Sequence, residues 1–285
     1  MIRFIAVTLA ACAVAGCRPA VLTQQVEARR LAADLRLQFT KAADAANRAV
    51  MADTDQASIG AADEARQALR AVERDVEQLA PMLKSLGYAD ELTYLDTFNQ
   101  RLAEYRALDE EILPLAVENS NLKAQRLSFG PAREAADMFR SSLEAAARSG
   151  SSTDGCCADA LAAKAGAAVL EIQVLHAPHI AEAEDAPMTR MEQRIAALET
   201  IAQKALDELK GQLGTRGGAQ LAAATAALAR FKEVNRELVT LSRRNSEVRS
   251  LALSLGRKRM VTAVADDQLR ALEEALAKHQ FTATR

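Results

Sequence analysis

The sequence predicts an all-α protein, and three observations carry that prediction. Apolar residues recur at spacings of three and four over long stretches, the period of one helix face, and no segment reads as a strand. Of 285 residues, 49% are hydrophobic but only 4% aromatic, with no Trp. That balance of Ala and Leu with Glu, Arg and Gln suits long helices packed closely through small residues. Breakers such as Asp53-Thr54-Asp55, Gly87 and Gly211 to Gly218 then separate the periodic stretches.

The first helix is expected over about 24–52, with Leu31, Leu35, Phe39, Ala42, Ala46 and Val50 on one face. Asp53-Thr54-Asp55 and Gly60 interrupt it. A second helix runs over about 61–86 and stops at Gly87, a C-cap glycine. The third starts near Asp90 and continues to Ala147, with Gly130-Pro131 as a kink or short break. After the polar linker Ser149 to Gly155, a fourth helix covers about 158–184 and a fifth about 188–211. Gly211 to Gly218 forms a loop, and the sixth helix runs over about 219–279.

The halves share residues at one offset. Asn119-Ser120-Asn121-Leu122-Lys123 and Leu127-Ser128-Phe129-Gly130 match Asn245-Ser246-Glu247-Val248-Arg249 and Leu253-Ser254-Leu255-Gly256, always 126 apart (245 minus 119, 256 minus 130). This reads as an internal duplication, with repeats over 24–148 and 158–279. Apolar positions in the sixth helix (Phe231, Val234, Leu238, Leu241, Asn245, Val248, Ala252, Leu255) alternate in spacing like the heptad seam of a left-handed bundle. Tyr105, Leu108, Ile112, Leu115, Asn119, Leu122, Arg126 and Phe129 do the same in the third. A single element over 90–147 would span roughly 85 Å at about 1.5 Å per residue, twice the reach of the first two helices. The expected architecture is therefore a long antiparallel bundle, two stacked four-helix modules sharing two long helices, with Asn119 and Asn245 near the junction.

Residues 1–16 read differently. Arg3 makes a short positive region and Phe4 to Val14 an apolar one of signal-peptide length. Val14-Ala15-Gly16-Cys17 resembles the bacterial lipobox, which implies lipidation at Cys17, a short linker over 17–23 and a membrane-anchored module facing the periplasm or cell exterior. Arg18, where inner-membrane lipoproteins carry Asp, leans towards the outer membrane. No later stretch reaches the roughly 18 uncharged apolar residues of a membrane-spanning helix. A net charge of -2 gives no reason to expect nucleic acid. Cys156 and Cys157 are adjacent and lack metal-site spacing; two thiols, a strained vicinal bridge or an intermolecular one all remain open.

Candidate sites are few. Asn119 and Asn245 either fix helix register as buried asparagines do, or line a ligand pocket with Ser120, Ser246 and Arg126. An arginine directed into a bundle needs a carboxylate, from Glu118, Glu247 or a ligand. His176, His179 and Glu182 can share one helix face, a weak zinc or copper candidate that Pro178 disturbs. Arg243, Arg244, Arg249, Arg257, Lys258 and Arg259 make the sixth helix locally basic, a solvated face or a contact for phospholipid head groups. There is no glycine-rich phosphate loop, Gly-x-Ser-x-Gly elbow or defensible triad, so neither catalysis nor a cofactor is expected.

The run Leu115 to Ser128 (LAVENSNLKAQRLS), with Leu170 to Ile180 (LEIQVLHAPHI), resembles the helical sensor modules of bacterial methyl-accepting chemotaxis proteins. The resemblance implies a four-helix or two-storey bundle outside the membrane that binds a small ligand such as an organic or amino acid. It also implies pairing as a homodimer. Chemoreceptors add a second membrane helix and a cytoplasmic coiled coil, and neither pattern occurs here, so a signalling role would need a membrane-spanning partner protein. Two functions are therefore expected in competition: a lipid-anchored sensor-like module, or a structural envelope lipoprotein that spaces or scaffolds another protein.

Overall fold

The computed structural model describes residues 17–149 and 155–279. The leader expected over 1–16 lies outside the described residues, and so do 150–154 of the polar linker. Every described element is helical: α1 (Cys17–Val50), α2 (Asp55–Leu86), α3 (Ala89–Glu118), α4 (Ser120–Leu127), α5 (Arg133–Ser149), α6 (Gly155–Ala181), α7 (Asp185–Leu213), α8 (Gly218–Arg244), α9 (Ser246–Leu253) and α10 (Arg259–Lys278). Two π-turns, Ser128–Ala132 and Ser254–Lys258, join α4 to α5 and α9 to α10. The chain thus makes six long helical runs, and the third and sixth, each 61 residues, pack in antiparallel contacts.

Local chemistry accounts for the ends. Thr54 caps α2, its side-chain oxygen accepting from Ala57 N at 3.2 Å, which satisfies one orphan donor of the first turn. Gly87 closes α2 at φ 73°, its N–H meeting the carbonyls of Leu83 and Lys84, as a left-handed C-cap glycine does. The break expected at Gly130-Pro131 is a π-turn instead. Pro131 has no N–H to donate, and widening the turn relieves the clash between its ring and the preceding turn. The true interruptions are Asn119 (φ 50°, ψ 43°) and Asn245 (φ 53°, ψ 40°), both left-handed. Asn enters that region at less cost than most residues with a Cβ.

Two compact units divide the chain. Unit 1 comprises the described residues of Met1–Val117 and Ser250–Arg285. Its core is drawn from α1, α2, α3 and α10. Phe39 stands edge-on to Phe98 and Tyr105, with centroids at 5.4 and 5.2 Å, amid Leu31, Leu35, Leu79, Leu83 and Leu95. Unit 2 is Glu118–Arg249, with a core from α5, α6, α7 and α8 built on Phe139, Leu143, Ile172, Leu206 and Phe231.

The heptad seams hold only up to the asparagines. Tyr105, Leu108 and Ile112 are buried, as are Phe231, Val234 and Leu238. Beyond, Phe129 is 66% exposed and Leu255 62%, while Ser120, Ala124 and Ala132 face inward on one run and Ser250, Ser254 and Lys258 on the other. A left-handed residue and a π-turn each rotate the following helix about its axis, so a seam extrapolated at constant pitch comes out on the wrong face.

One expectation about the membrane is also corrected. Cys156–Ala181 is long and apolar enough to cross a membrane by length and composition, although only 33% of its most apolar window is buried. Its many alanines raise hydropathy without long side chains. The same helix supplies Ala165, Val169 and Ile172 to the core of unit 2.

Candidate functional site

The predicted asparagine–serine site is assembled, but as a clasp. The start of α4 and the start of α9 cap one another. Ser120 N donates to Ser246 Oγ at 2.9 Å, and Ser246 N donates to Ser120 Oγ at 3.0 Å. The Glu247 carboxylate accepts from Asn121 N and Leu122 N, both at 2.8 Å. Orphan amides of both first turns are thereby satisfied, and a negative group sits where two positive helix ends meet. Asn121 Nδ2 donates to Asn245 Oδ1 at 2.8 Å and to Ile180 O at 2.7 Å, and Asn245 Nδ2 donates to Glu182 O at 2.7 Å. The asparagine pair therefore also ties the end of α6.

Asn119, Ser120, Asn245 and Ser246 are all buried, but Arg126 is not with them. It lies exposed on α4, rotated away by the left-handed step at Asn119. The buried-arginine reading is thus corrected, and with it the need for a ligand carboxylate. Arg126→Ala should leave denaturant stability within about 0.5 kcal/mol of the parent. Asn245→Ala should fall about 1 kcal/mol below Asn245→Gly, since both lose the same hydrogen bonds and only Ala is strained at φ 53°.

His176 and His179 are both fully buried. His176 Nδ1 lies 3.0 Å from Ser128 Oγ and Nε2 lies 3.1 Å from Asn235 Oδ1. An amide oxygen can only accept, so Nε2 carries the proton, Nδ1 accepts from Ser128, and the Asn235 amide is free to donate to Glu199 at 2.9 Å. Burial pushes the His176 pKa down to about 4. His179 meets Ser242 Oγ at 2.7 Å and Glu192 Oε1 at 3.1 Å. Burial lowers its pKa too, opposed by Glu192, whose carboxyl is itself held down by Arg243. Ser242, His179 and Glu192 have the residue types of a hydrolytic triad. Ser242, however, is fully buried and its hydroxyl donates to His179 O at 2.9 Å, so no substrate carbonyl can approach it. Glu182 accepts from the amides of Ala183 and Glu184. His176, His179 and Glu182 therefore share no centre, and among the described residues no group of three or more His, Cys, Asp or Glu is placed to hold a metal ion.

The basic stretch of the sixth helical run is not one solvated face. Arg243 binds Glu192 and Asp185, Arg244 binds Glu118, and Lys258 is buried in an ion pair with Asp109. Lys258 also stands 4.6 Å from the centroid of Tyr105. Burial pushes the Asp109 carboxyl up and the Lys258 amine down, each opposed by the other's charge. Beside this pair, a groove of about 790 Å³ runs between α1 and the Leu251–Asp266 stretch, lined by Phe39, Asn47, Val50, Met51, Leu255 and Lys258. Sequence reasoning missed Asp109, Asn121 and Asn235 as interior groups, and Glu247, expected as a partner for Arg126, caps α4 instead. Asp109 and Asn235 do stand 126 apart, one residue after Leu108 and Val234, and that polar match in two apolar seams was the available signal. Cys156 and Cys157 are free, exposed thiols in the first turn of α6.

No protein-family model matches the chain, and no curated protein matches its sequence.

Proposed function

We propose that this chain is a lipid-anchored, extracytoplasmic helical scaffold that holds another protein, rather than a receptor for a small ligand at its asparagines. The observation that carries the reading is the clasp. The polar groups that would line a pocket at Ser120, Asn245 and Ser246 are spent on one another, on Asn121 and on helix ends. The internal duplication belongs to the same reading. Left-handed asparagines, capping serines and π-turns recur 126 residues apart, the pattern expected of one supersecondary unit used twice.

The sensor-like reading, related to chemoreceptor modules, keeps one specific support: the groove beside Lys258 has the size and apolar lining of a small-molecule site. A thermal-shift screen of organic acids, amino acids and amphiphiles separates the two. A ligand at 100 times its Kd adds about 2.7 kcal/mol. No shift is expected; a shift that Leu255→Asp abolishes would transfer the function to the groove. The anchor has its own check. Cys17→Ser should move the protein from the membrane fraction to the soluble one, and retention on membranes would remove the lipid anchor from the proposal.

A further inference from the structure

The helix α6 is apolar on two opposite faces. Its inward seam, Ala162, Ala165, Val169, Ile172, His176 and His179, is buried with alternating spacings of three and four. Two residues behind each inward position lies a second series: Ala160, Ala163, Ala167, Leu170, Val174 and Ala177. It has the same heptad spacing, and every member is exposed, Leu170 at 60% and Val174 at 67%. A step of two residues turns about 200° around a helix, so the two seams point in nearly opposite directions. A surface helix normally keeps its second face polar.

The geometry points to a second copy of this chain as the occupant of that outer seam, with the two α6 helices antiparallel across a two-fold axis. A two-fold contact requires a surface complementary to itself, and this one is. Antiparallel pairing about the midpoint between residues 168 and 169 sets Ala167 against the partner's Leu170 and Ala163 against the partner's Val174, a small residue opposite each large one. The same register places Lys164 opposite the partner's Glu171, and Glu171 opposite the partner's Lys164. Both are flanking positions that set orientation in coiled coils. On the other flank Gly166 meets the partner's Gln173, again small against large. Parallel pairing would instead put Leu170 against Leu170 and Val174 against Val174, losing the match of small against large. Glu171 already receives Arg194 at 2.5 and 2.8 Å, which holds its carboxylate at the rim of the seam. The surface requires no ligand in the groove of unit 1 and goes beyond the scaffold reading, which it leaves intact if it fails.

Sedimentation equilibrium of the full-length chain in mild detergent tests the pairing. A dimer is expected, and Val174→Glu, at an exposed position, should give a monomer of unchanged helicity and melting temperature. Lys164→Glu sets two like-charge contacts in place of two opposite ones and should weaken the dimer by about tenfold. Adding Glu171→Lys should recover most of that loss. Orientation is read by oxidation in a background with Cys156 and Cys157 replaced by Ser. Ala163→Cys and Val174→Cys chains should crosslink only when mixed. A monomeric mass throughout the concentration series overturns the proposal, as does crosslinking of Val174→Cys chains with themselves. Equally, a monomeric Cys17→Ser chain that attaches to phosphatidylcholine vesicles and loses that attachment in Val174→Glu would give the seam to lipid and overturn it.

Discussion

Lys258→Met is expected to cost about 3–5 kcal/mol in denaturant unfolding, the largest single-residue effect in the molecule. Lys258 and Asp109 are both almost fully buried and joined Nζ to Oδ1. Lys258 is there because the π-turn Ser254–Lys258 turns its side chain into unit 1. Removing the ammonium leaves a buried carboxylate with no cation in contact, beside the Tyr105 ring. The Tyr105 hydroxyl beside the carboxyl and the more distant Arg66 both favour its charged form, but neither replaces an ammonium in direct contact. Asp109 then has to take up a proton to stay inside. The double variant Asp109→Leu with Lys258→Met should recover most of the loss, because a buried pair exchanged for apolar groups of similar volume is close to neutral. If the double variant is as unstable as Lys258→Met, the cost lies in packing against Phe39 and Tyr105 rather than in charge.

The second large effect is a loss of stability in mild acid. His176 is neutral in the fold, with a pKa pushed down to about 4 from 6.5 by burial. Between those values the unfolded chain binds a proton that the folded chain refuses, so stability falls as pH drops. The contribution is whole above about pH 6.5, declines through the interval and is gone below about 4. At about 1.4 kcal/mol per unit it amounts to about 3 kcal/mol. His179 adds to the same slope in the same direction, and Glu192 opposes it. Urea midpoints of the parent and His176→Gln at pH 7.5, 6, 5 and 4 read the effect. The parent should lose stability faster than the variant between pH 6.5 and 4, and parallel curves would mean that His176 exchanges protons freely in the fold.

These two sites also show how far the sequence could be read. Composition and period found the helices, the cap at Gly87 and the seam through Tyr105 and Ile112, because these are set by residues close together in the chain; they took Asp53 to Gly60 as a break where α2 already starts at Asp55 under the Thr54 cap. The offset of 126 picked out Asn119, Ser120, Asn245 and Ser246 as a group, and the structure does gather them. Of the two roles expected there, the hydrogen bonds of Asn245 to Asn121 and to Glu182 O supply the structural one. Periodicity assumes a constant pitch, so it carried Arg126 and Phe129 inward across a left-handed residue and a π-turn that rotate them out. Lys258 is the same error with opposite sign, a charge taken as solvated that the second π-turn turns inside. The burial of His176 and His179 was not legible because α6 is apolar on two opposite faces, so period alone does not say which of them turns inward.

The clasp between α4 and α9 also sets an order of events. Amides at Ser120, Asn121 and Leu122 have their acceptors on Ser246 and Glu247, so during synthesis they are served by water until more than a hundred further residues have been made. Helices α5, α6, α7 and α8 can form and collide before then, but the start of α4 cannot be closed. Contacts so distant in sequence carry a high loop-closure cost and form late. Ribosome-bound chains that stop short of residue 245 should therefore exchange these amide protons freely while protecting the interior of α6 and α7. The bond that finishes the second unit is one the nascent chain has to wait for.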